Sequence, residues 1–131
     1  MQLVDGVHQL IRRRDDRYPI PSNMAMEMIT KRVGDQIVFV RGALIDLSLR
    51  GCAVGFGSPV KFKPGETIQA TLRFENRKPI TFQGTIRHQV PPKRTRFEKA
   101  YGIEIHECDN PIRLKEWILV LQRKTFEFTR S

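Results

Sequence analysis

Two segments in the middle of the chain alternate strictly between apolar and polar residues. Segments 66–75 and 79–88 each place apolar side chains at every second position, with polar ones between them. Period two over eight residues or more predicts half-buried antiparallel strands. The short polar stretch between the segments, with Pro79 behind it, predicts the turn of a hairpin.

Shorter segments of strand character occur on both sides of this hairpin, and glycine- and proline-containing turn signals separate them. They lie at 23–30, 41–47, 51–56 and 99–107. Three methionines share a face of the first segment, where core packing is the better interpretation than a binding surface. Six short strands with polar outer faces predict a small closed barrel over about 23–107.

Near the C-terminus the apolar period changes to that of a helix. Pro111 suits a first helical turn, a broad apolar stripe follows, and Arg123 and Lys124 suit the negative end of the helix dipole. We therefore predict a helix over about 110–124. The expected fold is mainly β: a six-stranded antiparallel β-barrel with a C-terminal α-helix.

Composition limits the classes of function. The 131 residues suffice for one domain, and 23 basic against 14 acidic residues give a net charge of +9, which favours an anionic partner. Fifteen of the cations are arginine, the better residue for bidentate recognition of phosphate and guanine. No apolar run could span or insert into a membrane, no signal peptide is recognisable, and two cysteines without metal spacing suit a cytoplasmic protein.

The chain has no recognisable catalytic or metal-binding motif. Its three histidines are isolated, and neither a serine-hydrolase elbow, a phosphate-binding glycine loop nor a zinc-protease motif is present. We therefore expect that the protein is not an enzyme and that it binds no metal and no cofactor.

An arginine run near the N-terminus is the first candidate for an anion site. Arg13 and Arg17 form an R-x-x-x-R pair, with Arg12 and Arg14 beside it. In a chain so rich in arginine, about one or two such pairs arise by chance. A solvated charge cluster therefore remains an open alternative.

The second candidate is the D-x-S-x-x-G motif of Asp46, Ser48 and Gly51. Residues two apart in a strand share a face, so Asp46 and Ser48 would point the same way and accept hydrogen bonds from guanine. Gly51 would permit a turn or a close approach of ligand. The alternative is a plain hairpin in which Asp46 and Ser48 bond the turn backbone. Such a motif arises by chance in only about one chain in fifty.

R-x-x-x-R followed about thirty residues later by D-x-S-x-x-G resembles the signature of PilZ domains, bacterial receptors for cyclic di-GMP. The segment "YGIEI" at 101–105 is similar to the family's last strand. The resemblance implies a single-domain PilZ protein over 12–131, with an arginine segment at 12–20 and an N-terminal extension at 1–11. It also implies the six-stranded barrel and the C-terminal helix.

The resemblance implies a role for each motif residue. Arg13 and Arg17 would bind phosphates and the O6/N7 edge of guanine. Asp46 and Ser48 would face a guanine, and Gly51 would allow its close approach.

Further roles are expected for residues beside the arginine motif and for Arg87 on the outward face of the 79–88 strand. Arg12 implies an intercalated pair of ligand molecules rather than a single one. Arg14 and Arg87 are additional candidate contacts, although each would also be an ordinary surface residue. Asp15 and Asp16 depart from the family pattern and have no assigned role.

The expected function is a cyclic di-GMP receptor that changes conformation on binding and regulates an unidentified partner protein, in motility, polysaccharide secretion, biofilm formation or virulence. A small basic barrel that binds nucleic acid is the first alternative. It requires surface aromatics for base stacking, and most phenylalanines here lie on apolar faces, so a nucleic-acid partner is disfavoured. A ligand-independent PilZ-like interaction module is the second alternative.

Overall fold

The computed structural model describes residues 16–57, 60–91, 97 and 99–130, with side chains in the final helix described as far as 124. It contains seven strands and one helix within these ranges. They are β1 (Tyr18–Pro19), β2 (Met26–Val33), β3 (Gln36–Leu47), β4 (Gly51–Phe56), β5 (Thr67–Phe74), β6 (Ile80–Gln89), β7 (Lys99–Cys108) and α1 (Pro111–Arg130).

Six of the strands close into an antiparallel barrel. Their order is β3-β2-β5-β6-β7-β4, and β4 pairs back onto β3 to complete the circle. The two-residue β1 adds to the end of β3, with Tyr18 opposite Leu47 and Pro19 opposite Asp46. The predicted six-stranded barrel with a C-terminal helix is confirmed.

The barrel core comes from the inward positions of the alternating strands. Met28, Leu72 and Ile86 are fully buried, as the period of two requires. Helix α1 adds Trp117, whose ring packs edge-on against Phe74 at a centroid distance of 5.5 Å. The predicted apolar stripe of the helix therefore covers the barrel.

The helix also contacts the short first strand. The side-chain amide of Gln122 donates to the hydroxyl of Tyr18 over 3.4 Å, and Ile20 N–H donates to Ile45 O over 3.0 Å. Strand β1 is thus held between α1 and β3. Because Arg17 immediately precedes β1, this packing positions one half of the R-x-x-x-R motif.

The largest differences from the predicted boundaries lie in β2, at the start of β3 and at the end of the helix; β2 ends at Val33 rather than 30. The first barrel strand begins at Met26 rather than 23, because a turn closed by Met24 N–H to Pro21 O precedes it. Strand β3 begins at Gln36 rather than 41, because Gly34, at a φ of 59°, starts a tight turn that lets β3 pair along β2. The helix continues to Arg130 rather than ending at 124.

Candidate ligand site

The structure brings one motif arginine directly onto the motif aspartate. Arg17 Nη1 lies 2.9 Å from Asp46 Oδ1, and the two side chains are 43% and 22% exposed. Pairing of β1 with the end of β3 creates this contact across 29 positions of sequence. Arg17 is therefore held at the carboxylate and remains open to solvent.

Asp46 is also bonded to the backbone of the next strand. The same Oδ1 accepts the N–H of Ala53 over 3.0 Å, at a point where the β3–β4 register shifts between Leu44 and Asp46. Within the described part of the chain, Oδ2 has no hydrogen-bond donor at all. One carboxylate oxygen thus fixes the side chain of Asp46 against Arg17 and Ala53.

Ser48 does not share an exposed face with Asp46, contrary to our expectation. Strand β3 ends at Leu47, and Ser48 is only 1% exposed. Its hydroxyl accepts the N–H groups of Arg50 and Gly51 over 3.1 and 3.0 Å and donates to Gly51 O over 3.2 Å. The serine therefore closes the turn between β3 and β4, which is the hairpin alternative left open by the sequence.

Gly51 is required by the approach of a neighbouring strand. A Cβ atom built on Gly51 would overlap the backbone carbonyl oxygen of Ile103 in β7. Gly51 pairs with Glu104 in that strand, and Ile105 N–H donates to Arg50 O over 2.6 Å. The close approach at this glycine is made by protein backbone.

Beside this turn lies a concavity of about 230 Å³ that contains three arginines. Arg17 comes from the segment before β1, Arg50 from the turn and Arg87 from β6. The remaining lining residues are Ser48, His88, Gly102, Ile103 and Glu104. Sequence reasoning missed Arg50, although it lies inside D-x-S-x-x-G, because only the three specified residues of the motif were assigned a part in ligand binding.

Glu104 is the acidic group of this concavity, and it pairs with one of the arginines. Arg87 Nη2 donates to Glu104 Oε1 over 2.5 Å. That hydrogen bond is the main cause that lowers the pKa of Glu104. The ring of His106 lies 3.5 Å from the same oxygen, and its Nε2 is 2.6 Å from the Thr85 hydroxyl. Arg87 is thus oriented along the strand surface by an acidic partner.

A buried thiol lies beneath the site. Cys52 is opposite Leu47 in the β3–β4 pairing and is fully buried. Burial, with a further contribution from Asp46, raises its pKa to about 12. The thiol is therefore neutral at physiological pH and packs as an apolar group.

Arg12, Arg13, Arg14 and Asp15 lie outside the described residues, so their predicted roles stay predictions. Asp16 is described and half-buried. Its charge adds to burial in raising the pKa of Tyr18.

Comparison with known proteins identifies the family. The model of the PilZ domain family matches residues 11–119, most of the chain, and the protein therefore belongs to that family. Among solved structures, it is similar to the PilZ domain with c-di-GMP of YcgR from Escherichia coli, with a TM-score of 0.61 and 17% identity. That match covers 92% of this chain and 98% of the YcgR chain. No curated protein sequence matches.

Two negative findings apply to the described residues only. None of the described helices is long and apolar enough to cross a membrane. In the same ranges, no three histidine, cysteine or acidic side chains cluster as a metal site would require.

Proposed function

We propose that this protein is a receptor for cyclic di-GMP, rather than an enzyme, and that it passes the signal to a partner protein in the cytoplasm. The observation that carries the proposal is the meeting of Arg17, Arg50 and Arg87 around one concavity, with Asp46 beside it. The ligand present in the YcgR PilZ structure gives independent support.

The chemistry of the ligand fits these groups. Cyclic di-GMP carries two phosphates and two guanines, and an arginine fork satisfies either phosphate oxygens or the O6/N7 edge of guanine. Oδ2 of Asp46, which has no hydrogen-bond donor among the described residues, can accept from N1–H and N2–H₂ of guanine, which phosphate-only binding would not need.

The concavity accommodates only part of such a ligand. Its volume of about 230 Å³ is below the roughly 300–1,000 Å³ of complete small-molecule sites. We therefore propose that one guanosine phosphate lies against Arg17, Arg50 and Arg87, and that Arg12, Arg13 and Arg14 bind the exposed remainder. With Arg12 present, two stacked ligand molecules per chain is the proposed stoichiometry.

Ligand binding exchanges the ion pairs of the free protein. Arg17 leaves Asp46, and Arg87 leaves Glu104, when phosphate or guanine takes their place. Because β1 follows Arg17 directly and contacts α1, movement of Arg17 displaces β1 and changes its contact with α1. This conformational change is the proposed signal to the partner protein.

Serine and glycine of the motif have a supporting part in this proposal. Ser48 closes the turn that presents Arg50, and Gly51 lets β4 lie close to β7. Neither needs to contact ligand for the site to form.

Isothermal titration of the full chain with cyclic di-GMP tests the proposal. We expect micromolar or tighter binding, and at least tenfold loss in Arg17→Ala, Arg50→Ala and Asp46→Asn, since each charge-assisted hydrogen bond contributes roughly 1.5–3 kcal/mol. Arg123→Ala, an exposed cation on α1, is the matched control and should bind normally.

Three results would contradict the proposal. The absence of heat or thermal shift with wild type would point to a ligand-independent module. Equal loss in the Arg123→Ala control would indicate diffuse charge attraction. A gel shift of single-stranded RNA that survives Asp46→Asn and is unaffected by cyclic di-GMP would favour the nucleic-acid alternative.

A further inference from the structure

Among the described residues, strand β3 has one edge that is only half covered. Along one edge it pairs with β2 from Gln36 to Ala43. Along the other it pairs with β4, and only between Ala43 and Leu47. Residues 36–41 on that second side therefore face no strand within the described part of the chain. We call this segment the free edge of β3.

The free edge offers hydrogen-bonding groups to another chain. Six residues extend over about 20 Å, and every second residue directs its backbone N–H and C=O away from β2. Natural proteins usually cover or charge such an edge, since it is a template for strand pairing. Here the residues from 37 to 40 are all uncharged and favour strands.

The outward side chains of the free edge are apolar and exposed. Ile37 is 66% exposed and Phe39 is 74% exposed. Ile112, on α1, is the third large apolar side chain with such exposure among the described residues. Two of the three thus lie two positions apart on one face of one strand.

A groove of about 540 Å³ continues from this face. Arg41 and Ala43 extend the outward row of β3 into it, and Gly55, opposite Ala43, contributes to its floor. The ring of Phe97 packs against Gly55 as one wall, and Met24 lies among the residues of another. The volume is within the range of pockets that hold a side chain or small ligand.

Charge around the free edge favours an acidic partner. Lys31 and Arg32 of the adjoining β2 are both exposed, and the chain as a whole carries +9. Glu27 forms an ion pair with Arg41 at 3.3 Å, and the exposed Asp35 in the turn is the second acid beside this edge, so three cations face two acids here. A second copy of this chain would bring the same basic hairpin and another +9, so opposite charge on the occupant is the better fit.

We propose that the free edge docks an extended segment of a partner protein that is apolar at alternate positions and acidic at its flanks. The segment adds to β3 as a strand, its apolar side chains cover Ile37 and Phe39, and its next residue enters the groove. Backbone hydrogen bonds supply affinity and alternate side chains supply selectivity, as in other cases of strand addition.

This surface is separate from the nucleotide site. Phe39 and Asp46 are seven residues apart on β3, which corresponds to about 24 Å of extended strand. The proposal therefore does not depend on cyclic di-GMP, and loss of nucleotide binding would leave it standing.

Titration of the ¹⁵N-labelled full chain with a synthetic peptide tests the proposal. The probe is an end-blocked eight-residue peptide of alternating valine and glutamate, and a valine–lysine peptide of equal length is its control. We expect amide shifts concentrated at 36–41 and slower hydrogen exchange at every second residue there. The lysine peptide should bind at least tenfold more weakly.

Substitutions distinguish peptide binding at the free edge from non-specific hydrophobic binding. Ile37→Ser and Phe39→Ser should each weaken peptide binding several-fold, because both side chains are exposed and contribute little to the fold. Ile112→Ser removes an equally exposed apolar side chain from α1 and should change nothing.

The proposal is overturned if the acidic peptide shifts no amide of the free edge. It is equally overturned if both peptides bind alike, or if Ile112→Ser weakens binding as much as Phe39→Ser. A wild-type dimer in sedimentation that dissociates on Phe39→Ser would assign the edge to a second copy instead.

Discussion

Asp46 makes two bonds through one oxygen, and two substitutions can separate their energies. Asp46→Asn keeps an oxygen that accepts the Ala53 N–H but removes the charge that pairs with Arg17. Asp46→Ala removes both. Comparison of the two variants therefore isolates the backbone bond from the ion pair.

The magnitudes follow from the exposure of each group. Arg17 and Asp46 are 43% and 22% exposed, so solvent screening limits their pair to about 0.2–1 kcal/mol. Ala53 is 6% exposed, and leaving its N–H without an acceptor costs about 1–3 kcal/mol. Asp46→Ala should therefore lower the free energy of unfolding by about 1–3 kcal/mol more than Asp46→Asn.

Urea denaturation followed by the fluorescence of Trp117 measures these differences. Trp117 is the single tryptophan and is buried between α1 and the barrel, so its emission reports global unfolding. The urea midpoint should be highest for the wild type, lower for Asp46→Asn and lowest for Asp46→Ala, at constant m-value. Arg17→Ala added to Asp46→Asn should cost almost nothing more, since the pair is already broken.

Two outcomes would refute the reasoning. Equal destabilisation by Asn and Ala would mean that the Ala53 bond contributes nothing. A coupling energy between Arg17 and Asp46 above about 2 kcal/mol would mean that the pair is not screened as its exposure requires.

Three further predictions concern the same end of the barrel. Gly51→Ala should destabilise by about 1–3 kcal/mol in urea melts, because its Cβ meets the β7 carbonyl, whereas Gly57→Ala, with open space around it, should not; equal midpoints would contradict this. The pKa of Glu104 is lowered in the folded protein, so its pairing with Arg87 stabilises the fold above the unfolded-state pKa, and this stability is lost as pH falls through the folded-state pKa. Arg87→Gln should raise the pKa of Glu104 in a ¹³C NMR titration. An unchanged pKa would mean that Arg87 is not the cause of its lowering. Cys52, buried and with a pKa of about 12, should react with a disulfide reagent at pH 8 only as fast as the barrel opens, so prompt labelling would disprove its burial.

The barrel was predictable because the pattern that specifies it is local. Alternation over 66–75 and 79–88 reports which side chains face inward, and β5 and β6 follow it with Leu72 and Ile86 buried. The start of β3 was not predictable in this way, because 37–40 is a continuous apolar run without alternation. Its extent depends on the turn at Gly34.

The geometry of the candidate site was only partly predictable from the sequence. Arg17 and Asp46, which the resemblance assigned to one ligand site, lie in contact in the structure. Ser48 was misplaced because alternation does not reveal where a strand ends, and the last residue of β3 is Leu47. The position of Arg50 in the site, and the pairing of Arg87 with Glu104, depend on how the β3–β4 turn, β6 and β7 pack together. No local sequence pattern contains that information.

The turn at Ser48 has a consequence for anyone who surveys genomes for nucleotide receptors of this family. The hairpin needs Ser48 to close its turn and Gly51 to let β7 approach, so selection for a folded barrel alone would preserve both residues. A homologue that no longer binds the nucleotide would be expected to lose the arginines first and to keep the serine and glycine. Under the proposed function, the arginines and the aspartate therefore indicate a working receptor, whereas the serine and glycine indicate only that the hairpin is retained.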